Sequence, residues 1–170
     1  MKITMENYFD RILENKKIPK QIKETVCSEM HHALEVSNMA VLISKELGKD
    51  KQFRDDIAVA GVLHDIGKLR VNRYVYSDEK DDTLVIEKMK YVRMHSTYSR
   101  DILKGEDYPE NIIEAVYHHH ENYDGSGYPD GLKGKNIPEM SRILRTCDVF
   151  SALITCLLYT SPSPRDMRRS

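Results

Sequence analysis

Residues 53–68 read FRDDIAVAGVLHDIGK. Phe53 to Leu63 has the pattern of a helix, and its end carries HDIGK. Adjacent helical residues point about 100° apart, so His64 and Asp65 cannot both be buried in the ordinary way. Both can reach a metal ion from one helix end. Working outward, residues 2–16 form a short amphipathic pattern, and Pro19 restarts the chain after a lysine-rich break. Ile22 to Leu47 is a long helical pattern through Met30, Leu34, Met39 and Ile43, with Gly48 as its stop. Thr83 to Leu103 is a further helix, Pro109 opens another at its first helical position, and Pro138 opens a last one through Ile143, Leu144, Cys147 and Phe150. Residues 69–82 carry no core pattern and read as a loop. Residues 121–137, with four glycines, read as a shaped loop. No stretch alternates at period two, so the expected fold is all-α.

The 170 residues suffice for one domain with its own core. A composition of 40% hydrophobic and 31% charged residues is that of a globular chain. A formal charge of -1 gives no basic field for a nucleic-acid polymer or an anionic membrane. There is no apolar run of membrane-spanning length and no signal-peptide core at the N-terminus. Three cysteines, odd in number and far apart, point to a reducing cytoplasm.

The seven histidines are more informative. Candidate ligands fall one cluster per helix: His32, then His64 and Asp65, then His95, then His119 and His120, then Asp148. A lone histidine on an apolar face is most often an ordinary core or surface residue. Five clusters that include adjacent HD and HH pairs argue instead for a metal centre, and they suffice for two ions sharing one carboxylate. Facing helices of a bundle can aim such side chains into a shared core. A nitrogen-rich set suits iron, manganese or zinc better than magnesium or calcium. His31 and His118 have no matching partners and read as solvent-facing neighbours. Lys68, one turn after His64, is either a plain surface lysine or a cation that neutralises phosphate charge.

The texture changes at Cys156. CLLYTSPSPRD (156–166) has no helical period and resembles a translated sequencing-library adapter. The expected organisation is therefore a lead-in over 1–20, a domain over 21–155 cut short at its end, and a non-native tail over 156–170.

HDIGK at 64–68, HHENYDGSGYP at 119–129, GLKG at 131–134, IP at 137–138 and CDVFSAL at 147–153 together resemble an HD-GYP domain, a branch of the HD metal-dependent phosphohydrolases. The similarity covers roughly residues 28–155. It implies an HD-type helical bundle with a metal centre in its core, which hydrolyses the bacterial second messenger cyclic di-GMP to pGpG and GMP. By the same resemblance His32, His64, Asp65 and Asp148 hold one metal, and Asp65 bridges to a second held by His95, His119 and His120. His32 is preferred to His31 because it stands four residues before Val36, the family's spacing. Lys68 matches the lysine that contacts the scissile phosphate. Gly127, Tyr128 and Pro129 are the signature loop beside the substrate cleft, implicated in partner binding.

Three departures stand out. Ser28 occupies the place of a glutamate found in three-metal members, so two divalent ions, iron or manganese, are expected. The residues after His95 are Ser-Thr-Tyr-Ser where the family often has Pro and Gly. Leu157 stands where a substrate-contacting arginine would begin. The implied chemistry is metal-assisted phosphodiester hydrolysis, with Lys68 stabilising phosphoryl charge. The implied partners are a cyclic dinucleotide, a signalling protein at the GYP loop and a second copy of the chain. Competing readings are an HD phosphohydrolase for another nucleotide and a non-catalytic binding module.

Overall fold

The computed structural model describes residues 20–75 and 92–160. The expected helix over 2–16 and the first part of that over 83–103 lie outside them. The chain divides into two units, Met1–His32 and Ala33–Ser170. The described part of the first is the start of α1 (Lys20–Glu46), which continues into the second. The second unit then holds α2 (Lys51–Leu63), α3 (Lys68–Val75), α4 (His95–Gly105), α5 (Glu110–Tyr117) and α6 (Glu139–Thr160), with a 3-10 turn at Gly134–Asn136. No strand occurs among the described residues, so the fold is all-α as expected.

Local signals set several helix ends. The Asp50 side chain accepts from the Phe53 N–H at 2.8 Å and caps α2, an arrangement worth about 1 kcal/mol against alanine. α1 stops before Gly48, whose φ is +69°. Three expectations need correction. Pro109 is the N-cap of α5 and not its first helical residue. Met94 is a turn between helical residues 92–93 and α4, so the helix expected to run through it is interrupted there. The segment after Lys68 forms α3 where a loop was expected. That helix starts directly from the HDIGK turn, with Arg70 and Val71 N–H both donating to the Gly67 carbonyl. Among its described side chains the buried apolar one is Val71, which makes no periodic pattern to read. At the other end, α6 continues through Cys156 to Thr160, helical where the sequence showed no period.

α5 is the middle of the core. Eight residues are too few for a stable isolated helix, so burial holds it. Ile112, Ile113, Ala115 and Val116 are inaccessible or nearly so, and they pack against α2, α4 and α6. Val36 and Ala40 from α1, Ile57 and Ala60 from α2, Leu103 from α4, and Ile143, Leu144 and Cys147 from α6 complete the cluster. Each large aliphatic side chain buried this way contributes about 1.5–3 kcal/mol. With α5 fixed, the residues just past its C-terminus, His118 to His120, have a determined position. That is how the core places the site.

Candidate metal centre

Asp65 lies where α2 ends and the HDIGK turn begins. Its two carboxylate oxygens face different neighbours. Oδ2 is 3.2 Å from His64 Nε2 and 2.6 Å from Lys68 Nζ, and Oδ1 is 3.2 Å from His95 Nε2 and 3.9 Å from His119 Nε2. The turn itself is pinned from α4. The Ser99 hydroxyl accepts from the Gly67 N–H at 2.8 Å and donates to the His64 carbonyl at 3.0 Å. A Cβ on Gly67 would come within 2.0 Å of the His95 carbonyl oxygen, so only glycine lets the turn approach α4 this closely.

Three histidines share one orientation device. His64 Nδ1 donates to the Gly61 carbonyl at 2.7 Å, His95 Nδ1 to Val92 at 2.5 Å, and His119 Nδ1 to Val116 at 2.6 Å. A carbonyl only accepts, so each Nδ1 carries the proton, and in the neutral ring each Nε2 offers a lone pair. His120 brings its Nε2 to 2.9 Å from that of His95. Ligand atoms of Asp65, His95, His119 and His120 lie within 4.8 Å of one another, and those of His64 and Asp148 do likewise. His32, half-buried on α1, closes the first unit, and His31 beside it is exposed.

The electrostatics suit ligands. Burial holds His95 below the usual imidazole range, His119 well below it, and His120 down at about 3. At neutral pH these rings are uncharged, as metal binding requires. Burial would also lower His64, but its hydrogen bond with Asp65 and that carboxylate's charge leave it raised. Burial of Asp65 works against its ionisation and is overcome by His64 and Lys68, which hold the carboxyl far below its ordinary range. Asp65 Oδ1 is buried without a hydrogen-bond partner. Leaving such an atom unsatisfied costs about 1–3 kcal/mol or more, and a cation at that position would satisfy it. The donor set and this oxygen fit a transition-metal ion.

The loop over 121–137 folds onto the site. The buried Glu121 accepts the Asp130 N–H at 2.8 Å, and Tyr128 N–H donates to the His120 carbonyl at 3.3 Å. At Gly127 a Cβ would lie 2.3 Å from the Asn122 nitrogen, so the loop closes backbone on backbone. Tyr128 then stacks on His120, and Pro129 follows it through a cis peptide. Burial pushes the Tyr128 hydroxyl up to about 12.

One expectation fails here. His118 is buried, not solvent-facing. It lies 3.3 Å from Glu114 and 3.0 Å from Asp130, because the turn after α5 directs it under the loop. Four residues around the site were given no role from the sequence: Arg93, Ser99, Glu121 and Arg145. Arg93 lies 5.4 Å over the Tyr128 ring, and Arg145 Nη1 is 3.3 Å from His120 Nδ1. Arg145 alone had a readable signal, its spacing of three residues from Asp148 on one helix.

An all-α unit that gathers histidines and an aspartate around a buried carboxylate defines a metal-binding helical domain. Residues 9–166 match the HD domain family, and the chain belongs to that family. That match runs into the segment read as adapter-derived. The chain is 32% identical over 160 residues to a cyclic di-GMP phosphodiesterase of Thermotoga maritima, covering 92% of this chain and 43% of that protein. It is 35% identical over 122 residues to 3'3'-cGAMP-specific phosphodiesterase 1 of Vibrio cholerae, covering 72% and 28%. An HDG"Y"P protein from Bdellovibrio bacteriovorus shares the fold at a TM-score of 0.62 and 20% identity, over 88% of this chain and 49% of that one. This chain thus spans less than half the length of these relatives. Among the described residues no helix is long and apolar enough to cross a membrane.

Proposed function

We propose that this chain is the hydrolase unit of a metal-dependent cyclic dinucleotide phosphodiesterase, acting on cyclic di-GMP in bacterial signalling. The observation that carries the reading is Asp65, one carboxylate with an oxygen toward each of two histidine groups and Lys68 bonded to it. In this reading Asp65, His95, His119 and His120 hold one divalent ion. His64, Asp65 and Asp148 hold the other, together with His32 as the sequence resemblance assigns it. Iron or manganese suits the donors. When bound, such ions supply Lewis-acid polarisation and a nucleophile at neutral pH.

The chain's own residues do the rest. Asp65 stays ionised and the histidines of its group stay neutral. Lys68 adds a positive charge beside Asp65 that favours a phosphoryl group gaining charge. Tyr128, held by Gly127 and followed by Pro129, walls the site and orients His120. The same loop is the place for a signalling protein to dock. The protein works in the cytoplasm, where a second copy of the chain is a further partner.

A second substrate is favoured by one observation: the Vibrio cholerae relative is named for 3'3'-cGAMP. Incubating the manganese- or iron-loaded chain with each dinucleotide, and separating the products, tests both. Release of pGpG or GMP from cyclic di-GMP, lost in His64→Ala and Asp65→Ala, supports the first reading. Preference for 3'3'-cGAMP supports the second. Bound dinucleotide with no turnover under any metal would leave a binding module.

A further inference from the structure

Two arginines stand beside the centre, one against each ring of the Tyr128–His120 stack. A guanidinium offers donors and no lone pair, so neither can hold a metal ion. The Arg93 guanidinium lies 5.4 Å over the Tyr128 ring. Its main chain is pinned on both sides: His95 Nδ1 donates to the Val92 carbonyl at 2.5 Å, and the buried Ser96 hydroxyl donates to the Arg93 carbonyl at 3.2 Å. Arg93 is exposed, and among the described residues no carboxylate pairs with it. Arg145 comes from α6. Its Nε donates to Asn122 Oδ1 at 3.3 Å, and Nη1 lies 3.3 Å from His120 Nδ1 and 3.9 Å from Asp148 Oδ2. Asn122 is itself oriented by the Ser126 hydroxyl, which accepts from its Nδ2 at 3.0 Å. The head group is thus seated before a ligand arrives, and among the described residues nothing bonds its Nη2.

These cations are set apart from Lys68. Lys68 bonds Asp65 Oδ2, the oxygen beside His64, whereas Arg145 stands on His120, a member of the other histidine group. A guanidinium is a planar fork that matches two phosphate oxygens and stays charged at any working pH. A cyclic dinucleotide carries two phosphodiesters in one ring. With one of them at the metal centre beside Lys68, ring closure keeps the other in the same cleft, where its charge must be met. Two guanidiniums are a charge that a neutral base does not call for.

We propose that Arg93 and Arg145 form the subsite for the uncleaved phosphodiester of a cyclic dinucleotide. They let the site favour a substrate with two phosphates over one with a single phosphate. The inference rests on the phosphodiesterase reading above.

Kinetics at saturating manganese test it, with cyclic di-GMP set against bis(p-nitrophenyl) phosphate, a diester with one phosphate. Arg93→Met and Arg145→Met should each lower the preference for cyclic di-GMP, read as the ratio of the two kcat/KM values, by about tenfold or more. The loss should appear as a raised KM for cyclic di-GMP. Calorimetric titration with cyclic di-GMP, with and without manganese, should show the same weakening apart from turnover. Arg93→Lys keeps the charge and loses the fork, so it should recover part of the loss. The same drop is expected with 3'3'-cGAMP, which keeps both phosphates and changes one base. A drop confined to cyclic di-GMP would assign the arginines to the base and overturn the subsite. So would an equal fall with the aryl diester, which marks damage to the metal centre. Arg93, being exposed, keeps the test decisive if Arg145→Met does not fold. An unchanged ratio with full turnover of cyclic di-GMP overturns the subsite alone, whereas an unaltered chain that cleaves neither substrate overturns the phosphodiesterase reading and the subsite with it.

Discussion

Tyr128 lies stacked on His120, with ring centroids 4.7 Å apart and planes 25° from parallel. The loop therefore reaches the centre through an aromatic face. Such pairs are worth about 0.5–1.5 kcal/mol beyond their buried area, and this one restrains a proposed ligand. Tyr128→Ala should weaken metal binding at the His120 group several-fold, and Tyr128→Phe should leave it unchanged. Metal titration of the two variants checks this; equal weakening in both would assign the effect to the hydroxyl.

Ser99 closes two main-chain groups of the HDIGK turn, the Gly67 N–H and the His64 carbonyl. It is wholly buried, so no water replaces it readily. Ser99→Ala should cost about 1–3 kcal/mol of stability, read as a lower urea midpoint with an unchanged slope. Metal binding should weaken with it, because the turn carries both His64 and Asp65.

Asp65 and Lys68 separate binding from chemistry. Asp65→Asn keeps the shape and removes the charge that faces both histidine groups, so the chain should lose at least one ion per molecule by elemental analysis. Lys68→Met should keep its metal. Its turnover should fall by about 10²–10³-fold, the usual loss when one charge-stabilising donor is removed. Full activity in Lys68→Met would return that residue to the surface-lysine reading.

The metal-stripped chain should lose stability on mild acidification. His95, His119 and His120 have folded pKa values below the ordinary 6.5, that of His120 at about 3. Between those values the unfolded chain binds more protons than the folded one, so their contribution is full above about pH 6.5 and is lost as pH falls. The lowered Asp65 acts in the same direction at lower pH, below its ordinary 3.8. His64, raised, opposes the trend as one group against three. Thermal melts between pH 7 and pH 4 should show a falling midpoint, steeper when metal is present because protons also displace the ion.

Much of this protein was legible along the chain. Helices whose apolar residues repeat over several turns, such as α1, α2 and α6, announce themselves, since each turn repeats the same demand for burial. HD, HH and the glycine-rich loop are contiguous, so their chemistry shows without a fold. α3, with Val71 the buried apolar residue among its described side chains, had no such period. His118 was misplaced because its burial depends on Asp130, twelve residues on and across a loop. Tertiary structure alone decided which nitrogen of each ring faces the centre. His64, His95 and His119 take that choice from a carbonyl three residues back, while His120 meets Arg145, twenty-five residues away on another helix. A tautomer follows from the partner that packing brings to the ring, and no spacing in a sequence records that partner.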